Sequence, residues 1–196
     1  MIIKIIITLL TLLYPLVVFY GLKSYSIQVI SLCVLAIFIL RFLSLQLFKK
    51  NRHKPSKLFD IQDVLKKVIP LIILLLVGIS FVLDNEMGLL LYPVVINTAL
   101  AITFYYSLIS PPPIIERMAR LTQPDLPEHA IAYTRKVTIV WLCFFIFNGV
   151  IAGYTAFFCD IETWTLYNGL IAYILMGILF AGEYLVRLKV QKRHED

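Results

Sequence analysis

Long apolar runs separated by short polar intervals set the rhythm of the chain. Six runs, roughly 5 to 22, 26 to 48, 67 to 83, 88 to 109, 137 to 158 and 164 to 186, approach the ~20 residues a helix needs to cross a bilayer. The pattern predicts an all-α, polytopic integral membrane protein of about six transmembrane helices, paired as three hairpins in a single domain over 1–196. The first run is too long for a signal-peptide core and lacks a small-residue cleavage site after Leu22, so it reads as a retained helix, kinked at Pro15. Two polar intervals stand out: 49–66, rich in cations, and 110–136, the longest, with two proline punctuations.

Composition sharpens this picture. A hydrophobic share of 60% and a mean hydropathy of +0.87 exceed what a soluble core of 196 residues requires. The net charge of +6 is unevenly spread. Lys49, Lys50, Arg52, Lys54, Lys57, Lys66 and Lys67 fill one interval; Arg117, Arg120, Arg135 and Lys136 fill another; Arg187, Lys189, Lys192 and Arg193 follow the last run. The alternate connections carry Lys23 alone, Asp84 with Glu86, and Asp160 with Glu162. By the positive-inside rule both termini and both long loops are cytoplasmic. Topogenic charge accounts for the basic clusters, so no nucleic-acid partner is inferred. Attraction to anionic lipid follows, at about 1 kcal/mol per basic residue near the surface.

The three cysteines, Cys33, Cys143 and Cys159, show no metal or redox spacing and read as small packing residues. His53 lies among cations without a ligand partner in spacing. No metal or other cofactor is therefore expected.

Inside the runs, polar residues are scarce and candidate sites follow from them. Arg41 lies seven residues before Phe48, about 10 Å inside the cytoplasmic end of the second run, shallow enough to snorkel. Glu183 lies at a comparable level in the sixth, where Arg41 or Arg187, at i+4, could neutralise it. Asn97 and Asn148 are each about ten residues from the outer end, near mid-bilayer, and so able to meet. Asn168 falls across from about Thr155. These amides either glue helices or line a polar pocket that would draw on Thr98, Thr103 or Tyr173. Gly149-x-x-x-Gly153 and Gly177 offer small surfaces for close helix approach. A short echo relates Phe147-Asn148-Gly149-Val150-Ile151-Ala152 to Tyr167-Asn168-Gly169-Leu170-Ile171-Ala172.

In the 49–66 interval, Pro55 breaks the chain and 59–65 suits a short surface helix. In the 110–136 loop, Pro111-Pro112-Pro113 ends the fourth run and Ile114 to Leu121 suits a short interfacial helix. Its spacing puts Ile114, Ile115, Met118 and Leu121 on one side and Glu116, Arg117 and Arg120 on the other. Pro124-Asp125-Leu126-Pro127 is a second break, with Pro127 in the first turn of the next helix. Glu116, Arg117, Arg120 and Arg135 are the candidate anion- or partner-binding residues, guanidinium being suited to bidentate contact with phosphate or carboxylate.

The PPPIIERMAR, PDLP, YTR and YNGLIAY strings, within about Leu91 to Arg187, resemble a family of small bacterial inner-membrane proteins of uncharacterised activity. Members are often encoded beside fatty-acid-like or aryl-polyene biosynthesis genes, so the resemblance implies association with such a pathway. No P-loop, GxSxG, HExxH or CDP-alcohol phosphotransferase pattern is present. Three functional classes follow. The first is a non-enzymatic membrane partner of acyl-chain-building enzymes or an acyl carrier protein, docked on the 110–136 loop. The second is a lipid or polyene-conjugate transporter using Arg41, Asn97, Asn148, Asn168 and Glu183. The third is a membrane enzyme acting on a lipid head group with Glu116, Asp125, Glu128 and His129.

Overall fold

The computed structural model describes residues 13–47 and 61–192, and among these every regular element is helical. In chain order they are α1 (Tyr14–Ser24), α2 (Ile27–Leu47), α3 (Ile61–Leu83), α4 (Met87–Leu90), α5 (Tyr92–Ile109), α6 (Ile114–Arg120), α7 (Glu128–Phe158), α8 (Ile161–Leu166), a π-helical turn (Tyr167–Ile171) and α9 (Ala172–Lys192). Among the described residues, three stretches are long and apolar enough to cross a membrane: Met87–Ile109, Glu128–Phe158 and Ile161–Leu188. Shorter apolar helices run over Ile27–Ala36 and Leu71–Leu83.

The element boundaries have local causes. Pro15 and Pro93 stand in the first turns of α1 and α5, where the missing N–H costs nothing. Pro113 and Pro127 immediately precede α6 and α7. Asp160 caps α8: its carboxylate accepts from the Thr163 amide at 2.7 Å, and that bond holds its pKa below the usual carboxylate value. Between α3 and α4 the chain reverses through Asp84 at φ 49°. Gly88 is obligatory just beyond it, since a Cβ there would lie 2.1 Å from the Leu76 carbonyl oxygen and 2.5 Å from Ser80 Oγ.

Three expectations change. The short helix expected at 59–65 does not stand apart in its described part: Ile61 begins a helix that continues through Pro70 to Leu83. The 49–66 loop is correspondingly shortened, its residues up to 60 lying outside the described residues. The sixth run is not one α-helix but α8, the π turn and α9 in succession, and the fourth is interrupted at Leu91 between α4 and α5. Pro15 stands in the first turn of α1, and the part of the first run before it, on which the expected kink depends, lies outside the described residues.

Two apolar clusters hold the bundle. One gathers Tyr14 and Val18 of α1, Ile30 and Val34 of α2, Ile73 and Val77 of α3, Leu89 and Leu90 of α4, Ala156 of α7 and Trp164 of α8. The other sets Phe104 of α5 against Val137, Trp141 and Phe145 of α7, with Met176 and Leu179 of α9 at its edge. Lys23 at the end of α1 pairs with Glu162 of α8 at 2.7 Å, an exposed contact that fixes these two helix ends side by side.

A candidate intramembrane polar site and a clasped basic loop

Proline creates the first polar requirement. Pro93 has no N–H to offer the Leu89 carbonyl, its i−4 partner, and in an apolar setting that oxygen needs another donor. Tyr14 supplies it, its hydroxyl donating to Leu89 O at 2.9 Å. Next to it, Trp164 Nε1 donates to Leu90 O at 3.1 Å. Two buried aromatic donors from α1 and α8 thus seal the break between α4 and α5.

One turn further in, three helices share a hydrogen-bonded chain. Tyr167 O–H donates to Asn148 Oδ1 at 2.8 Å, Asn148 Nδ2 donates to Asn97 Oδ1 at 3.0 Å, and Asn97 Nδ2 donates to the Pro93 carbonyl at 2.8 Å. All three side chains are buried. Asn168 donates to Thr155 Oγ1 at 3.2 Å and to Trp164 O at 2.9 Å. Every amide therefore ends on a protein partner, and the arrangement works as interhelical glue, each such bond being worth about 0.6 kcal/mol on average in membranes. Gly149 makes the meeting possible, because a Cβ there would sit 3.2 Å from Asn97 Cβ.

The sequence pattern did not single out Tyr167. Tyr167 reads as an ordinary aromatic of an apolar run, and its partner Asn148 lies 19 residues away on α7. The available signal was the echo itself, since its two copies face each other through the Tyr167–Asn148 bond.

Along the outer side of this chain, α5 and α7 leave an open groove of about 600 Å³ lined by Val94, Thr98, Phe145, Gly149, Gly153 and Tyr154, among others. Thr103 turns back to the Ala99 carbonyl at 2.8 Å instead of joining the amides. Lower down, Tyr133 O–H of α7 lies 3.1 Å from the Glu183 carbonyl oxygen and 3.3 Å from Glu183 Oε1. Arg187 lies over the Tyr184 ring at 5.4 Å. Arg41 belongs to α2, but its side chain lies outside the described residues.

The basic loop is organised by the same proline logic. Pro111, Pro112 and Pro113 remove three donors that would have served the last carbonyls of α5. Arginine replaces one of them, Arg135 Nη1 donating to Leu108 O at 3.3 Å, while Arg117 holds the chain just beyond, donating through Nη2 to Ser110 O at 3.0 Å and through Nε to Pro112 O at 2.6 Å. Cations at a helix C-terminus also complement its dipole. Ser107 Oγ accepts from the Ile114 amide at 3.1 Å, and Arg120 joins Glu116 at 2.8 Å while donating to Pro124 O at 3.0 Å.

This clasp corrects the expected polarity of α6. Glu116, expected on the polar side, is 5% exposed, whereas Met118 and Leu121 are 59% and 87% exposed. The helix is rotated because Arg120 neutralises Glu116, allowing the carboxylate to turn inward while Ile114 and Ile115 pack on the α5–α7 cluster. Asp125, Glu128 and His129 are exposed, so the four candidate acid–base residues do not share one enclosure. Among the described residues no group of His, Cys, Asp and Glu could hold a metal ion.

Comparison with known proteins finds a relative in the same kind of membrane. The chain is 32% identical over 121 residues to the inner membrane-spanning protein YciB of Hydrogenovibrio crunogenus, a match covering 59% of this chain and 54% of the relative. The chain therefore spans about half the length of that curated relative. No family model matches, and no solved structure matches. With three helices able to span a bilayer, the likeness fixes the location. The chain is an inner-membrane protein.

Proposed function

We propose that this inner-membrane protein is a non-enzymatic partner of a cytoplasmic system that builds acyl or polyene chains, with six spans, both termini cytoplasmic and the 110–136 loop as its docking platform. The observation that supports this reading is the clasp. Glu116, Arg117 and Arg120 are spent on holding the loop, which leaves Met118, Leu121 and Lys136 exposed on a braced surface. A braced apolar and basic surface suits an acidic soluble partner, since docking then costs little ordering entropy. The partner class, an acyl carrier protein or its enzymes, rests on the sequence resemblance.

The test uses purified acyl carrier protein and the membrane protein in nanodiscs. Leu121→Ser combined with Lys136→Glu is expected to abolish binding while leaving thermal stability unchanged. Unaltered binding overturns the docking reading.

A second reading, transport of a lipid or polyene conjugate, is favoured by the groove beside Asn97 and Asn148. Thr98→Phe would fill that groove without touching the buried amides. Loss of export with intact assembly supports transport, and unchanged export removes it.

A further inference from the structure

Two arginines of the basic loop are fixed in place yet electrically unanswered. Arg135 donates to Leu108 O at 3.3 Å, and Arg117 donates to Ser110 O at 3.0 Å and to Pro112 O at 2.6 Å, so both guanidiniums gather at one end of α5. These bonds leave most of the N–H groups on each guanidinium without a protein acceptor. Among the described residues neither cation meets a carboxylate, since Glu116 is held by Arg120 and Glu162 by Lys23. The C-terminal dipole of α5 offsets about half a unit charge, which leaves most of the positive charge of two arginines standing. Braced, forked donors of this kind call for an anion with several oxygens, and phosphate is such an anion.

The surroundings say which phosphate. Ile109, set between the carbonyls of Leu108 and Ser110, is 60% exposed. From it a largely apolar seam runs along the α5–α7 pair. At 100° per residue Thr98, Ile102, Tyr105 and Ile109 of α5 fall within about 60° of one another, and so do Arg135, Ile139, Ile146 and Gly153 of α7. Ile102, Tyr105, Ile139 and Ile146 are exposed, and Thr98, Ile102, Ile146 and Gly153 line the groove of about 600 Å³. From Arg135 to Ile146, where the groove begins, is about 16–17 Å along α7. Half of a hydrocarbon core of ~30 Å is about 15 Å, the depth of one leaflet. The seam therefore fits a lipid in length as well as in polarity, charged at one end and apolar to the other.

We infer that Arg117 and Arg135 hold the phosphate of an anionic phospholipid from the leaflet that the basic loop faces, with one acyl chain laid along Tyr105 and Ile139 toward the groove. The bound species comes from the surrounding bilayer, so the inference stands apart from the docking and transport readings.

The test is thermal unfolding of the purified full chain in uncharged detergent micelles supplemented with phosphatidylglycerol, phosphatidylcholine or inorganic phosphate. Phosphatidylglycerol at about ten times its dissociation constant is expected to raise the melting temperature by about 3–6 °C, with little change from the other two. Arg135→Gln should lose at least half of that rise, whereas Arg187→Gln, at a basic residue of α9, should keep it. The assignment is overturned by no rise with phosphatidylglycerol, by an equal rise with either other probe, by a rise that survives Arg135→Gln, or by an equal loss in Arg187→Gln. In a second arm, phosphatidylglycerol carrying a diazirine at the end of one acyl chain is photolysed with the protein in vesicles. It is expected to label residues 139–146 in preference to α9, and Arg135→Gln to lower that label several-fold. Label shared evenly between α7 and α9, or unchanged in the variant, rules out the seam as the chain's resting place.

Discussion

The α5–α7 pair and α9 are both apolar helices in one membrane protein, yet they are built on opposite terms. Between α5 and α7, Gly149 brings the backbones close, Asn97 and Asn148 bond across the gap, and Phe104, Trp141 and Phe145 fill the space below. α9 touches the rest through Met176, Leu179, the Phe180–Trp141 ring contact at 4.5 Å and the Tyr133–Glu183 bonds. In lipid, hydrophobicity does not favour protein over solvent, so association comes from fit and polar contacts. The pair has both along its length, and α9 has them at a few points.

The contrast can be broken most forcefully at the junction. Trp164→Ala should cost about 3–5 kcal/mol, because a fully buried indole and its bond to Leu90 O are both lost. Ile178→Ala, on the exposed side of α9, should fall within about 0.5 kcal/mol. Reversible unfolding in mixed micelles measures both, and equal losses would erase the distinction. Next in size, Asn148→Leu strands Asn97 Oδ1 and the Tyr167 hydroxyl, an expected loss of about 1–3 kcal/mol. A double-mutant cycle with Tyr167→Phe should return coupling, and additivity would dissolve the chain into independent contacts.

Smaller again is Tyr133→Phe, expected near 0.6 kcal/mol globally, about the average for one interhelical bond. Its sharper readout is local: hydrogen exchange should rise in α9 and not in α5. The smallest effect is at Asp160, where the Thr163 amide depresses the carboxylate pKa. Its capping contribution is present above the unfolded value of about 3.9 and disappears as pH falls through the lower folded value. The difference in melting temperature between wild type and Asp160→Ala should therefore be full at about pH 7 and shrink below about pH 4.

Much of this was legible in the sequence, for identifiable reasons. Hydrophobic run length and proline punctuation located the C-terminal end of α5 and the start of α7, and counting depth from the outer ends put Asn97 level with Asn148 and Asn168 with Thr155. Other features depended on pairing that no local pattern encodes. Tyr14 is recruited by a carbonyl 75 residues away, orphaned by Pro93. Glu116 looked solvent-facing because helical periodicity cannot show that Arg120 would neutralise it and let α6 rotate. Arg117 and Arg135, the candidate anion-binding cations, also hold backbone carbonyls at the end of α5 and in the loop, contacts that no spacing rule shows.

The π turn at Tyr167–Ile171 has a mechanical consequence. Acting as a phase-shifter within a continuous rod, it takes up about one residue more than an α turn, so straightening it into regular α-helix with all five residues kept would swing α9 by about 100°. Glu183 would then point away from Tyr133 and Phe180 away from Trp141, leaving the upper bundle intact and the lower half of the rod uncoupled.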